Sequence, residues 1–512
     1  MNHALPCVTV WRVVLEAQTA LSISTGCGDG VNDVVLAQDA NGLPMLPASA
    51  VAGVLRQAWA ANRGDAVAKA LFGFSEGDRG QASRLSISHG HIHDRHNKAV
   101  LYLDDRAEGD ALLRPLLSRR PTLRQRVRIN HRGAADHQGL FDRSVLPPGH
   151  RFSLEILLWS STPEEGDQDG QALEQILATE GLRLGALTRS GLGRLTVSRC
   201  HRAQFDLRKP EGLAAFSKLD RAIDSIASLK PYTLPAPVRD KSKRPTLTIR
   251  LSPEAGFRFG GGVRSIQRPQ ATQPGQGRQP RLAQDLPASE PCVLWPDQDG
   301  SSHGQLSAID QVLIPATGLK GPLSHRTAFY ENCRRSLGAD NWRDGLGGIK
   351  PEQTYDKALH SQAVRALFGW SPEGKERDQQ GQAGVLWWSD LHLAPETVLP
   401  QTQWHNSIDR FTGGVRDGLL YAAENLHAAN RQTPLLEIRI TLDLERARAV
   451  GLTTDMLRDF EYAVDDLCQG RLALGADAAG GQGFFTGAQS WDHSPHDALA
   501  GQAVALKGST AP

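Results

Sequence analysis

Apolar and polar residues alternate along two segments of the chain. They are residues 13–26, VVLEAQTALSISTG, and residues 249–262, IRLSPEAGFRFGGG, and each ends in or next to glycine. An alternation with a period of two is typical of strands with one buried face, and the closing glycine indicates a turn. We therefore predict one strand in each segment.

Residues 46–60, LPASAVAGVLRQAWA, follow a different spacing. Their larger apolar side chains lie at Val51 and then three, four and eight residues after it, at Val54, Leu55 and Trp59. This spacing predicts an amphipathic helix, which Pro47 introduces and Ser49 is placed to cap.

Motifs of the first part of the chain return further along in the same order. The matches are the two strand segments, LPASAVAG with IPATGLKG, ALFGFS with ALFGWS, GQASRLSIS with GQAGVLWWS, INHRGAADHQGLF with IDRFTGGVRDGLL, and LGALTRSGLG with LGADAAGGQG. Collinear matches of this kind indicate an internal duplication. We divide the chain into a first copy (1–204), a linker (205–245), a second copy (246–495) with insertions near 265–303 and 327–365, and a tail (496–512).

Within each copy the pattern is strand, glycine loop, helix, strands, hairpin, and a glycine-rich segment that leads into a last strand. Strands outnumber helices, and the helices have the spacing of elements that cover one face of a sheet. This order predicts an α+β fold of the ferredoxin-like (RRM-like) kind, present twice.

Composition narrows the class of protein. The 512 residues carry a net charge of +1, 40% are hydrophobic, and the six cysteines form no CxxC pair. No disulfide framework or cysteine zinc site is indicated, and no run approaches the roughly 18 apolar residues of a membrane span. We expect a cytoplasmic protein without a membrane partner.

The ordered motifs TALSISTG, GLPMLPASAVAGVLR, LFG, RLSIS, INHRGAADHQGLF and LRLGALTRSGLGRLTV resemble those of the RAMP superfamily of CRISPR-associated proteins. The second copy repeats them, so the chain resembles a fused double backbone subunit of type III effector complexes. The resemblance implies two ferredoxin-like domains with thumb hairpins, in segments 124–150 and 401–433. It also implies three partners: a CRISPR guide RNA, a complementary target RNA and other effector subunits.

The helix start is the first candidate for phosphate binding, because its free amides attract anions. Members of the family usually place a lysine before its glycine. Lys320 stands there in the second copy, whereas Ala52 does in the first. We predict RNA contacts at Ser49 and Arg56 in the first copy, and at Lys320 and Arg326 in the second.

A basic strand is the second candidate. In SRRPTLRQRVRINHR the alternation places Arg124, Arg126 and Arg128 on one face and the apolar Val127 and Ile129 on the other. Such a face can follow phosphates, although charge on a solvated edge strand is the alternative interpretation. The remaining predicted RNA-binding residues lie in the same hairpin, in the glycine-rich segment and in the second hairpin: His131, Arg132, Arg189, Arg194, Arg410 and Arg416.

The catalytic prediction concerns the acidic loop STGCGDGVNDVVLAQDANGLP, residues 24–44. By the resemblance, Asp33 matches the catalytic aspartate that precedes a short apolar run, with Asp29 and Asp39 as alternatives. A carboxylate there would assist attack of the RNA 2′-hydroxyl on the adjacent phosphorus. A divalent ion, Mg²⁺ or Mn²⁺, would help without a dedicated protein cage, so no metal ligands are assigned.

The second copy departs from this pattern. Alignment of CVLWPD with VVLAQD puts Pro291 opposite Asp33, although Asp297 and Asp299 follow closely. We predict one competent site and one weakened site. The histidine-rich stretch SHGHIHDRH is only a weak metal candidate, since its counterpart keeps a single histidine, His392. Two other functions stay open: a structural guide-binding subunit without nuclease activity, and a guide-precursor processing endoribonuclease.

Overall fold

The computed structural model describes residues 5–24, 34–118, 122–129, 135–179, 181–237, 240–266, 283, 285–296, 303–335, 361–370, 381–430 and 432–500. Helices and strands are both abundant, which confirms the predicted mixed α and β content. In this part of the chain no helix combines the length and the apolar character that crossing a bilayer needs.

The first copy and the linker form an antiparallel sheet with helices on it. Their elements are β1 Cys7–Ala17, α1 Ala48–Arg63, α2 Asp65–Phe72, β2 Phe74–Glu76, β3 Arg79–Gln81, β4 Leu85–Ile87, β5 His91–Ile92, β6 Leu123–Ile129, β7 Ala135–Ser144, β8 Arg151–Ser160, α3 Pro163–Leu177, β9 Leu195–Asp206, α4 Pro210–Ser217 and β10 Lys230–Pro231. Strand β1 is central because β8 pairs with one of its edges and β9 with the other.

The second copy builds a smaller main sheet and several short ladders. Its elements are β11 Thr246–Pro253, β12 Gly260–Gly262, β13 Leu286–Pro287, β14 Ser289–Glu290, β15 Val293–Leu294, β16 Gln305–Leu306, β17 Gln311–Ile314, α5 Ala316–Arg334, α6 Gln362–Phe368, β18 Gly369–Trp370, β19 Gln382–Ala383, β20 Leu386–Trp387, β21 Leu391–Leu393, β22 Val398–His405, β23 Tyr421–Ala428, β24 Leu436–Leu442, α7 Leu444–Ala449, α8 Thr454–Cys468 and β25 Phe485–Trp491. Helix α5 already occupies the first residues of the predicted 327–365 insertion, and the tail from residue 501 lies outside the described residues.

The two main sheets share one topology. In chain order the first copy runs β1, α1, β4, β8, α3, β9, and the second runs β11, α5, β20, β24, α8, β25. Across the sheet the strands lie in the order β9-β1-β8-β4 and β25-β11-β24-β20, so the fourth strand is beside the first and the third beside the second in both. The internal repeat in the sequence therefore corresponds to a repeat in the topology.

Each copy has its own hydrophobic core between the sheet and its helices. The predicted stripe of α1 is confirmed, since Val51, Leu55 and Trp59 are buried. They pack into one cluster with β1 and β8, while α5 and α8 enclose a separate cluster in the second copy. Burial of such side chains contributes about 1.5–3 kcal/mol each to folding.

The segment predicted to be a linker packs on the first copy. Strand β10 pairs with β9, and the buried Arg12 guanidinium donates to the carbonyls of Asp220 and Ser225. The Tyr232 hydroxyl donates to Glu174 Oε2 at 2.6 Å. These contacts bind the segment to the first sheet.

Two hairpins form ladders separate from the main sheets, in the segments where the resemblance implies thumbs. In the first hairpin β6 pairs with β7, and in the second β22 pairs with β23. Within the described ranges neither hairpin pairs with a main-sheet strand. Both leave apolar side chains in solvent, an arrangement that is unusual for a purely structural ribbon.

Candidate nucleic-acid interface

The two helix starts already have acceptors for their first amides. The Ala48 N–H donates to His89 Nδ1 at 3.1 Å, and the Ala316 N–H donates to Asp390 Oδ1 at 2.8 Å. The prediction that Ser49 caps α1 is wrong, because Pro47 is the N-cap residue and makes no side-chain hydrogen bond to the first turn. His89 and Asp390 occupy equivalent positions in RLSISHG and VLWWSDL. A phosphate at either helix start would therefore have to use other donors.

Four basic side chains from both copies approach one another beside α5. They are Arg126 and Arg143 of the first hairpin, Arg189 of the glycine-rich segment and Lys320 of α5, which we call the cationic cluster. Burial and the charges of Arg189 and Arg126 lower the pKa of Lys320 to about 8. Burial and the charge of Arg143 lower the pKa of Arg126. Within the described residues no carboxylate lies at ion-pair distance from Arg126, Arg143 or Lys320.

Arg189 has further neighbours outside the cationic cluster. Burial lowers the pKa of Arg189 to about 10, and Arg446 adds to the effect. Its guanidinium donates to the Gly384 carbonyl and lies 4.1 Å from the ring centroid of Trp387. Like charges held half-buried cost free energy, and a bound anion would lower that cost.

Arg124 lies on the same face of β6 but has a different environment. Its Nη2 is 2.7 Å from Glu290 Oε1 and its Nη1 is 2.5 Å from Asp390 Oδ2, and both carboxylates belong to the second copy. The side chains of Glu290 and Asp390 are only 2% and 1% exposed. This pairing argues against the predicted contact between Arg124 and phosphate. The alternation of β6 is confirmed, with the arginine side half-buried and the apolar side exposed.

His392 completes this group, which we call the charge junction: Arg124, Glu290, Asp390 and His392. The ring Nε2 of His392 is 2.5 Å from Glu290 Oε1. Burial would raise the pKa of Glu290, but Arg124 and His392 outweigh it and lower that pKa. Sequence analysis missed both carboxylates. Glu290 ends the two-residue strand β14 and Asp390 lies between β20 and β21, so no local pattern marks them as partners of Arg124.

The glycine-rich segment of the first copy meets the second copy, whereas the sequence predicts that it meets RNA. Gly191 has φ +110°, and a Cβ there would overlap Asp390 Oδ1 and lie 2.8 Å from Ala316 Cβ. Arg183 donates to the Trp388 carbonyl at 2.7 Å and to Ser389 Oγ at 2.8 Å across the same contact. In the second copy the equivalent Gly481 has φ +81°, and a Cβ added to it would meet no described atom within 4 Å.

The other predicted RNA-binding residues are spread over several surfaces. Arg56 is half-buried on α1. Arg194 lies beside Arg183, and burial together with the charge of Arg194 lowers the pKa of Arg183 to about 10. Arg326 is bound to Asp466, with Nε 2.5 Å from Oδ2, and its guanidinium stacks on Phe329. Arg128 is half-buried on β6.

The second hairpin presents Arg410 and Arg416, both exposed, in the segment that connects its strands, where Phe411 is 99% exposed. Trp404 and Ile408 are 51% and 61% exposed on the same hairpin. In the first hairpin Leu140 and Phe141 are comparably open. The predicted residues His131 and Arg132 lie outside the described residues.

Four of the predicted catalytic residues, Asp29, Asp33, Asp297 and Asp299, lie outside the described residues. The residues that flank residues 25–33 are at the base of the first hairpin: Arg143 Nη1 donates to Ser22 Oγ at 3.2 Å, and the Ser144 N–H donates to the Val34 carbonyl at 3.1 Å. The carboxylate of Asp39, the alternative catalytic residue, stabilises a turn, since its Oδ1 accepts from the N–H groups of Asn41 and Leu43.

The histidines of SHGHIHDRH have separate roles. His89 accepts from α1, while the buried His93 bonds Asn97 and Ser153 at 2.8 Å each. His96 packs against His303 of the second copy with ring centroids 4.6 Å apart. Among the described residues no group of three or more His, Cys, Asp or Glu side chains converges to hold a metal ion.

Similarity to known proteins covers part of the chain. No curated protein sequence matches it. One similar solved structure is described as "Cryo-EM structure of the Type III-B Cmr-beta bound to cognate target RNA"; the match has 16% identity and a TM-score of 0.27, and covers 38% of this chain and 60% of that chain. The family model described as "RAMP superfamily" matches residues 14–196. The predicted resemblance to the RAMP superfamily is therefore confirmed over residues 14–196, which are most of the first copy.

Proposed function

We propose that the chain is a backbone subunit of a type III CRISPR ribonucleoprotein, built from two tandem ferredoxin-like RAMP domains. The shared topology of the two copies supports the tandem arrangement, because the strand order fourth, first, third, second is that of a ferredoxin-like sheet. The family match supports the first of the two domains. Such a complex acts on RNA in the cytoplasm, together with other effector subunits.

The observation that carries the RNA-binding proposal is the cationic cluster. The sequence predicts Arg126, Arg189 and Lys320 separately as RNA-binding residues, and they lie close enough to lower the pKa of Lys320. A guide RNA backbone is the natural counter-charge for such a group, since a phosphate would relieve its self-repulsion. Because the cluster combines both copies, one RNA strand would pass across their contact.

For catalysis we propose that Asp33 promotes cleavage of the target RNA as a general base. The described flanks of its loop are at the base of the first hairpin, beside Arg143 of the cationic cluster. The Asp33 carboxylate would accept the proton of a 2′-hydroxyl as its oxygen attacks the adjacent phosphorus. The bond from phosphorus to the 5′-oxygen breaks, and that oxygen takes a proton from water, whose hydroxide then takes up the proton held by Asp33. The products are a 2′,3′-cyclic phosphate and a 5′-hydroxyl.

A divalent ion, Mg²⁺ or Mn²⁺, would stabilise the charge of the phosphorane in this reaction. The described residues offer no dedicated cage for it. We assign no described residue as a ligand of this ion, and Asp33 acts as the proton acceptor described above.

The experiment that tests the binding proposal is purification of the chain with the RNA it carries, followed by sequencing of that RNA and titration with unrelated single-stranded RNAs at several salt concentrations. We expect repeat-derived guide sequences, and similar affinities for unrelated RNAs that fall steeply with salt. Absence of RNA binding at low salt would overturn it. A hairpin precursor cut by the chain alone would favour the processing endoribonuclease instead.

A further inference from the structure

The contact between the two copies depends on buried charge. Arg124 extends from β6 of the first hairpin into the second copy, where Glu290 and Asp390 meet it at 2.7 and 2.5 Å. Glu290 belongs to β14 and His392 to β21, both strands of the short sheet β14-β17-β21. Glu290 and His392 are therefore held by a sheet, and Asp390 directly precedes β21, so the three side chains have little freedom to follow a moving hairpin.

Asp390 has a second bond that extends the connection. Its Oδ1 accepts from the Ala316 N–H at 2.8 Å, at the start of α5, while its Oδ2 receives Arg124. One carboxylate thus joins the first hairpin to the helix that carries Lys320. A buried ion pair is sensitive to geometry, because removal or displacement of one partner leaves the other charge buried and unpaired.

Gly191 supplies an independent constraint at the same place. Its carbonyl accepts from the Asp390 N–H at 3.4 Å, and it leaves no room for a side chain against Asp390 and Ala316. The positive φ of Gly191 disfavours other residues there as well. Charge and close backbone contact therefore determine one relative position of the two copies.

The equivalent position in the second hairpin has no such charge. Alignment of residues 129–141 with 408–420 places Gln403 opposite Arg124. Gln403 Oε1 accepts from Asn425 Nδ2 at 2.9 Å within its own hairpin. The charge junction is thus a property of the contact between the copies and is absent from the corresponding position of the second copy.

We propose that the charge junction and Gly191 form a register lock, which holds the first hairpin at one fixed distance from α5 and from the second hairpin before any ligand binds. Arg124 is a positioning residue in this device. If the proposed RNA-binding function is correct, the lock fixes the spacing between the nucleotides that the two hairpins contact.

The test measures the distance between the hairpins without RNA. Spin labels on cysteines introduced by Leu140→Cys and Phe411→Cys, both at exposed positions, report that distance by pulsed electron resonance, with Cys27 and Cys333 replaced by Ser. We expect one narrow distribution in the otherwise unaltered chain. Arg124→Ala should broaden or displace it, and Arg124→Lys, which meets one carboxylate at most, should have an intermediate effect.

Two further variants separate the lock from general damage. Gly191→Ala removes no charge but should displace the distribution as Arg124→Ala does, because it adds a clash with Asp390. Arg126→Ala is the matched control on the same strand face and should leave the distribution narrow. Equal distributions in all variants, or equal broadening by Arg126→Ala, would overturn the lock.

A separate measurement tests whether the lock fixes the spacing of the bound nucleotides. The spacing of nuclease-protected nucleotides should become irregular in Arg124→Ala and stay regular in Arg126→Ala, even where Arg126→Ala weakens binding. If the unaltered chain binds no RNA, the proposed function fails while the distance measurement still decides the lock. Regular spacing in Arg124→Ala beside a broadened distance distribution would overturn the link between lock and RNA.

Discussion

The first and second copies share a topology and differ in charge at four equivalent positions. Lys320 stands opposite Ala52, Asp390 opposite His89, Arg124 opposite Gln403, and Asp33 opposite Pro291. None of these exchanges touches the apolar stripes that form the two cores. The comparison shows that the duplication preserved the packing elements while the contact surfaces specialised, with the Arg124 cation of the junction on the first copy and its two carboxylates on the second.

The largest expected difference between the copies is catalytic. Asp33→Ala should abolish one defined cut in target RNA by an assembled complex, with a rate loss of about 10²–10⁴ if the carboxylate acts as general base. Target binding should change little. The measurement is single-turnover cleavage with end-labelled RNA, and the remaining fragments should keep cyclic phosphate ends.

Asp297→Ala combined with Asp299→Ala is the matched change in the second copy, and it should remove no cut. Loss of a second, separate cut would show that both copies are active. Cleavage by Asp33→Ala at the unaltered rate would instead leave a structural guide-binding subunit.

The next difference concerns stability. Arg124→Ala leaves Glu290 and Asp390 buried without their cation, which should cost about 3–5 kcal/mol. Gln403→Ala removes a neutral side chain from an exposed position and should cost less than about 1 kcal/mol. Urea unfolding of both variants, followed by fluorescence, checks the comparison. If Gln403→Ala lowered the free energy of unfolding as much as Arg124→Ala, the special role of the charge junction would be contradicted.

Acid should destabilise the first copy more than the second. His93 and His150 are 3% and 2% exposed, and burial lowers the pKa of each to about 4. The unfolded chain, with a histidine pKa near 6.5, binds more protons between pH 6.5 and 4, so stability falls as pH decreases through this window. The full effect is about 3 kcal/mol per histidine.

The measurement is the urea midpoint at pH 7.5 and at pH 5. His93→Gln should reduce the difference between the two midpoints, because the titrating group is gone. The aligned position in the second copy is Ala394, which has nothing to titrate. A midpoint difference that His93→Gln leaves unaltered would remove His93 from this explanation.

The smallest expected effect tests the helix starts. Lys320→Ala should reduce the salt dependence of single-stranded RNA binding by about 0.7 in slope, the value for one lost phosphate contact. Ala52→Lys in the first copy should increase it by a similar amount. Titrations at four salt concentrations measure both slopes. An unaltered slope in folded Lys320→Ala would exclude Lys320 from the interface.

The fold was more predictable than the site. Periodicity predicted α1 and the alternation of β6 because both follow from local spacing, and the repeat predicted two similar units. Arg124 shows the limit of such reasoning: its strand face was correct, but the carboxylates that bind it lie 166 and 266 residues away in sequence. The prediction for Gly191 was incomplete for the same reason: a glycine turn could be expected there, but its contact with Asp390 could not. Long-range partners of charged and glycine residues leave no local pattern.

The docked linker changes where the first domain ends. Strand β10 covers the outer edge of β9, and Arg12 relies on carbonyls at residues 220 and 225. A fragment that stopped at residue 204 would expose β9 as an open edge, which invites pairing with other chains. It would also leave the buried Arg12 guanidinium with Glu155 as an acceptor but without the carbonyls of Asp220 and Ser225. During synthesis the same arrangement lets the first domain complete its sheet as soon as β10 leaves the ribosome, before most of the second copy has been made.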